Sequence, residues 1–193
     1  MGGPKAWKKY ITHVKSADQI PNQMLANFSA RYRFASSLED LALPGFSEAT
    51  KHGYLVATKL AYAYSALEAL ERGIGTFSVK DRSPIIDFRV AGKLADGKFD
   101  EVLKQIIEAA EPKMAKRVRE SLDLMMSNLD SGNVRPFVEG IRNSLFHGKF
   151  TPTASGLRSS KSKRDVLARL AHEILLGADE IFSGWLETEF LQN

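Results

Sequence analysis

Apolar residues recur at three- and four-residue steps along most of this chain, the spacing that puts them on one face of a helix. Met24, Leu25, Phe28, Tyr32, Ala35 and Leu38 keep that spacing until Pro44 and Gly45 break the run. Val56, Leu60, Ala63, Leu67, Leu70 and Ile74 alternate steps of four and three, a bundle seam that Ser47 can cap and that Gly73 and Gly75 end. Ser83 and Pro84 open a shorter helix to about Ala95, stopped by Asp96 and Gly97. Phe99, Val102, Leu103, Ile106 and Ile107 mark another, and Pro112 restarts the chain into Met114, Val118, Leu122, Met125 and Leu129. Val134, Phe137, Val138, Ile141 and Leu145 form the next stripe, and Val166, Leu170, Ile174, Ala178, Ile181 and Trp185 the last. The pattern predicts an all-α protein, a bundle of about five or six helices, with long helices over 47–73 and 163–190 around a shorter one that starts near Val134. Residues 1–21 read as a basic leader, solvated or forming a short helix, and 22–193 as a single helical domain.

Composition narrows the chemistry. At 193 residues the chain suits one domain with a sizeable core. A hydrophobic content of 44% and a charged content of 26% are ordinary for soluble domains, so neither a disordered nor a membrane class is indicated. The longest apolar stretch, Tyr54 to Leu70, is broken by Lys59 and Glu68, and no membrane span is expected. The first nine residues have no apolar signal core, and Ala6 stands where N-myristoylation wants Ser or Thr; a cytoplasmic location is expected. Cysteine is absent, which removes disulfides, thiolate metal sites and cysteine nucleophiles. The four histidines, at 13, 52, 147 and 172, lack metal-ligand spacing, so no metal and no cofactor is expected, and His172 reads as structural. No Gly-rich phosphate loop and no internal repeat is found. A net charge of +4 and a pI ≈ 9.2 permit a polyanionic partner without requiring one.

The stripe from Val134 ends in an unusual way. Arg142, Asn143 and His147 lie off its apolar face, and Gly148 is a natural helix stop. A fixed cation, an amide and an imidazole are thus gathered at one helix end. An Arg can grip two phosphate oxygens, and an imidazole, whose ordinary pKa lies nearest physiological pH, can move a proton. That set suits chemistry on a phosphate.

The order Arg142-Asn143-x-x-x-His147-Gly148 resembles the Arg-x4-His motif of the HEPN superfamily, all-helical domains many of which are metal-independent ribonucleases. The run from Ala61 to Leu70 (AYAYSALEAL) resembles the first core helix of many such domains, in which an Ala-Leu-Glu stretch recurs. The likeness covers about 54–72 and 134–191. The segment 76–130 does not align with it and reads as an insertion packed at one end of the bundle. The resemblance implies an RNA endonuclease of the toxin or phage-defence kind, in which a ribose 2′-hydroxyl attacks the adjacent phosphate to leave a cyclic phosphate. His147 is then implied as general base or acid, Arg142 as the group that stabilises charge on the phosphorane, and Asn143 as the group that orients phosphate or imidazole. Glu68 is implied as an acid behind the motif, or else a surface carboxylate paired with Arg72 at i+4. RNA, a second copy of the chain and a neutralising antitoxin protein are the implied partners. A non-catalytic HEPN module that binds RNA, nucleotide or a partner protein is the alternative.

Two further readings bear on RNA. The run from 149 to 164 (KFTPTASGLRSSKSKR) contains no acid, so Lys149, Arg158, Lys161, Lys163 and Arg164 form a local positive field that either touches an RNA backbone or is solvated as a flexible loop. Lys5, Lys8, Lys9 and Lys15 with Trp7 and Tyr10 pose the same choice at the N-terminus, and Arg31 and Arg33 read as solvated surface. One geometric difficulty stands: residues five apart on an ideal helix sit about 140° apart around the axis, so Arg142 and His147 do not share a face. Both also lie off the apolar stripe, so both are expected to matter little for stability.

Overall fold

The computed structural model describes residues 3–75, 100–109, 112–113, 115–116, 118–120 and 135–191. The helix expected over 83–95 and most of the segment 76–130 lie outside the described residues. Those described are helices and connecting loops, with no strand among them: α1 (Trp7–Ser16), α2 (Gln23–Ser37), α3 (Glu48–Gly73), α4 (Asp100–Ala109), α5 (Arg135–Phe146) and α6 (Lys161–Trp185). The last passes into a single π turn over Leu186–Phe190. The all-α bundle expected from the pattern is therefore the fold. No helix among the described residues is long and apolar enough to cross a membrane.

α3 is the axis of the bundle and packs against α2, α5 and α6. Its second half is enclosed on nearly every side: Leu60, Ala61, Ala63, Tyr64, Ala66, Leu67, Ala69 and Leu70 are all buried. A helix apolar all round belongs in a core, and its alanines let three neighbours approach closely. The predicted seam is visible in this set, since Leu60, Ala63, Leu67 and Leu70 are its innermost members, while Val56 and Ile74 are partly buried at either end. Facing them are Leu25, Phe28 and Ala35 from α2, Phe137, Val138 and Ile141 from α5, and Leu170, Ile174 and Ala178 from α6.

The boundaries have local causes. Asn22 caps α2 by accepting from the Met24 and Leu25 N–H groups, and its own amide donates to Gly73 O, tying the start of α2 to the end of α3. Ser47 caps α3 as expected, accepting from Thr50 N, and Ser160 caps α6 through Lys163 N. Gly140 lets α5 press against α4, for a methyl group there would sit 2.5 Å from Ile106 Cγ2.

The basic leader is a helix fixed to the core. Tyr10 and Val14 of α1 are buried, and the Trp7, Tyr10, Phe182, Trp185 and Phe190 rings pack together, with centroids 5.0–6.4 Å apart. Asp179, buried on α6, accepts from the Lys5 backbone N–H at 2.8 Å and anchors the chain just before α1. Trp7 and Tyr10 thus face inward, leaving Lys8 and Lys9 toward solvent.

Candidate functional site

The motif helix and α3 run antiparallel, and their shared seam holds three buried charged residues, Glu71, Arg135 and Glu139. Tyr64, Glu68 and Glu71 stand at i, i+4 and i+7 on α3, so they share one face. Arg135, Glu139 and Arg142 repeat the same spacing on α5. The two stripes meet. Arg135 donates through Nη2 to Glu71 Oε2 in a buried ion pair, and Arg142 Nη2 donates to Glu68 Oε2 at 2.6 Å. Between them lies Tyr64, whose ring has the Arg135 and Arg142 guanidinium carbons at 5.8 and 5.5 Å from its centroid.

Electrostatics follow from that packing. Burial, reinforced by Glu139 and Glu68, pushes the Tyr64 hydroxyl up to about 12, with Arg135 opposing. Among the described residues the hydroxyl makes no hydrogen bond of good geometry, although it interacts with the Arg135 side chain. Burial pulls the Arg135 guanidinium down, but the hydrogen bond and charge of Glu71 outweigh it and the net shift is upward. The interior thus stabilises a protonated tyrosine between two fixed cations.

Arg142 lies off the apolar stripe yet is held by a carboxylate of the central helix, so it differs from an ordinary surface residue of little weight in stability. Its side chain is 22% exposed and that of Glu68 13%, so the pair lies mostly inside the seam with one edge toward solvent. Glu68 is not a surface carboxylate. It reaches across to Arg142 of the motif helix.

The other motif residues sit at the helix end. α5 stops at Phe146, and His147 follows in the turn, its N–H still bonded to Asn143 O at 3.0 Å. Gly148 adopts φ +68, the left-handed conformation that ends a helix cheaply only at glycine. Lys149 N and Phe150 N then both donate to Ser144 O, at 2.8 and 3.1 Å. His147 is exposed and Asn143 half-buried, and neither side chain makes a hydrogen bond to the described residues. The structure thus brings Arg142 and Glu68 together with Tyr64, while His147 stands apart from them. The 140° problem is not removed by any distortion before Gly148, because α5 is helical through Phe146.

The loop from 149 to 160 is folded, with Phe150, Pro152, Ser155 and Leu157 buried and turn hydrogen bonds throughout. Gln105 of α4 pins it by donating to Lys149 O and Thr151 Oγ1, both at 3.3 Å. Its cations are unequal. Lys163 is nearly buried in an ion pair with Glu101, and Arg164 donates to the Leu157 and Arg158 carbonyls. Lys161 pairs with Asp165 at 2.6 Å on the surface, and Arg158 is exposed. Lys149 is also exposed.

Tyr64, Glu71, Arg135 and Glu139 were not singled out as site residues by the sequence. The signal that marks them is the repeated i, i+4, i+7 spacing of polar groups in two otherwise apolar helices. Among the described residues no group of three His, Cys, Asp or Glu stands close enough together to hold a metal ion. No family model, no curated protein and no solved structure matches the chain.

Proposed function

We propose that this chain is a metal-independent RNA endonuclease of the HEPN kind. One observation carries the reading. The two stretches that resemble the family, AYAYSALEAL on α3 and Arg-Asn-x-x-x-His-Gly on α5, meet through the Glu68–Arg142 pair. A chance motif at a helix end has no reason to be tied to the other resembling stretch.

In this reaction the ribose 2′-oxygen attacks the adjacent phosphorus, its proton passing to a base. The P–O5′ bond breaks, the leaving oxygen takes a proton, and a 2′,3′-cyclic phosphate remains. His147, on the open side of the helix end, serves as base or acid. Arg142, oriented by Glu68, offers its exposed edge to the charge developing on phosphorus, and orientation by a carboxylate is what preorganises such a donor. Asn143, four residues before His147, shares its face and can hold the phosphate toward the imidazole. Because Arg142 and His147 point apart on one chain, we place the working site in a groove between two copies. There the Arg142 edge of one motif meets the His147 of the other.

A second reading, a non-catalytic module that binds RNA, nucleotide or a partner such as an antitoxin, is favoured by one fact. No side chain among the described residues orients His147, whereas catalytic imidazoles are held in one tautomer by a neighbour. Expression in growing cells separates the two. A nuclease arrests growth and His147→Ala relieves it; a binding module gives no His147-dependent arrest.

A further inference from the structure

Two exposed aromatic rings, Phe34 and Phe146, lie beside the motif with the half-buried Tyr62 between them. Phe34 on α2 and Tyr62 on α3 have centroids 4.3 Å apart, and Tyr62 meets Phe146 edge-on at 5.8 Å and 78°. Phe34 is 42% and Phe146 52% exposed, although an aromatic trio of this kind would ordinarily be turned into the core. Phe146 is the residue next to His147 and stands four after Arg142, on that residue's side of α5. The patch and the motif therefore form one continuous surface.

Each ring also has a cation one turn before it on its own helix: Arg31 before Phe34, Lys59 before Tyr62, Arg142 before Phe146. Arg31 donates through Nη1 to Ser65 O at 3.0 Å, and Lys59 Nζ to Leu38 O at 3.4 Å. Those bonds go to backbone carbonyls across the α2–α3 seam, so the two charges flank the Phe34–Tyr62 pair with no carboxylate among the described residues paired to them. Apolar π faces among retained positive charges complement a strand of bases on a phosphate backbone. The size of the patch agrees. With roughly 200 Å² for a whole phenylalanine side chain, Phe34 and Phe146 leave about 200 Å² open. A stable protein–protein interface needs about 800 Å² from each partner.

We propose that Phe34, Tyr62 and Phe146 form a stacking platform for one or two unpaired bases of a single-stranded RNA, next to the phosphate that Arg142 contacts. The proposal rests on the nuclease reading above for its ligand and adds the subsite that selects unpaired strands. Stacking ignores base identity, so the platform discriminates single from double strands and not one sequence from another.

The test is equilibrium binding of a short single-stranded 2′-O-methyl RNA, which lacks the attacking hydroxyl, to the native protein and to Phe34→Ala, Phe146→Ala and Phe34→Leu. Each base stacked on an aromatic ring contributes about 1–3 kcal/mol, so affinity should fall roughly 5- to 150-fold in each variant. Phe34→Leu keeps apolar volume without a π face, and its loss should approach that of Phe34→Ala even if the alanine variant folds poorly. An oligonucleotide with abasic sites should bind native and variant proteins within about twofold of each other. Equal affinity of native and variant proteins for the intact strand would remove the platform while leaving the nuclease reading in place. Native protein that binds no RNA would remove both. A native dimer that Phe34→Leu converts to monomer with RNA affinity unchanged would assign the patch to a second copy instead.

Discussion

Arg142 of α5 places its Nη2 2.6 Å from Glu68 Oε2 of α3, so the motif's cation is held by the helix at the centre of the bundle. Its side chain is therefore part of the packing as well as of the proposed chemistry. Removing it takes one charge-assisted hydrogen bond from a carboxylate in the seam. Arg142→Ala should lower stability by about 1–2 kcal/mol, read from urea midpoints at constant m-value. A double-mutant cycle with Glu68→Gln should return a favourable coupling of about 1 kcal/mol or more, and additive effects would show the pair to be inert.

The neighbouring pair should behave more severely. Arg135 and Glu71 are both buried, and breaking such a pair by removing one partner costs about 3–5 kcal/mol. Arg135→Ala is expected to unfold well before Arg142→Ala on thermal melting. Similar melting of the two variants would mean that depth in the seam does not set the cost.

Tyr64 gives the fold an alkaline limit. Its folded pKa is raised to about 12, against about 10 for an exposed tyrosine. The neutral hydroxyl is thus favoured in the folded state. Its contribution is fully present below pH 10 and is lost as pH rises to 12, because there the unfolded chain has released a proton that the native chain keeps. The loss is on the order of 2 kcal/mol, since a tenfold difference in proton affinity between the two states corresponds to about 1.4 kcal/mol. Urea denaturation at pH 8.5 and 11.5 should show that fall, and Tyr64→Phe should reduce it, leaving the smaller share of Tyr32, whose hydroxyl burial and Asp179 also push up. At neutral pH Tyr64→Phe should change stability little, because the hydroxyl it deletes makes no hydrogen bond of good geometry among the described residues.

Much of this was legible from spacing alone. The seam through Leu60, Ala63, Leu67 and Leu70, the cap at Ser47 and the stop at Gly148 follow from local rules, which need only the chain's own neighbours. The polar ladder was harder. Tyr64 reads as one more apolar position on α3, and only the α5 stripe opposite gives it two guanidiniums. Whether Glu68 turned to Arg72 on its own helix or crossed to α5 depended on helix packing, which periodicity does not encode. The same holds for the N-terminal lysines. Trp7 and Tyr10 read as touching nucleic acid or as part of a solvated leader, and the anchor that turns them into the core instead, Asp179, lies over 160 residues away in the sequence. The basic run from 149 to 164 looked uniform because its neutralising partner for Lys163, Glu101, comes from another helix.

That inequality yields a salt-dependence prediction. If RNA runs along the loop, Arg158 and Lys161 touch its phosphates, while Lys163 serves to fix the loop on α4. Replacing Arg158 and Lys161 together by Ala should reduce the slope of log affinity against log salt by about 1 for each phosphate no longer neutralised. Lys163→Ala should leave the slope intact and reduce stability instead. Unchanged slopes in the double variant would mark the loop as ordinary surface.

The central claim is that the Arg142–His147 helix end cuts RNA, and His147→Ala tests it most directly. His147 is exposed and its side chain makes no hydrogen bond to the described residues, so the variant should match native stability within about 0.5 kcal/mol. The measurement is cleavage of a mixed pool of single-stranded RNAs in EDTA, with product ends identified. Native protein should cut and leave 2′,3′-cyclic phosphates, and folded His147→Ala should be slower by at least about 100-fold, the low end of general acid–base contributions. A folded His147→Ala protein that cuts at the native rate, or a native protein that cuts no RNA in the pool, would contradict the account.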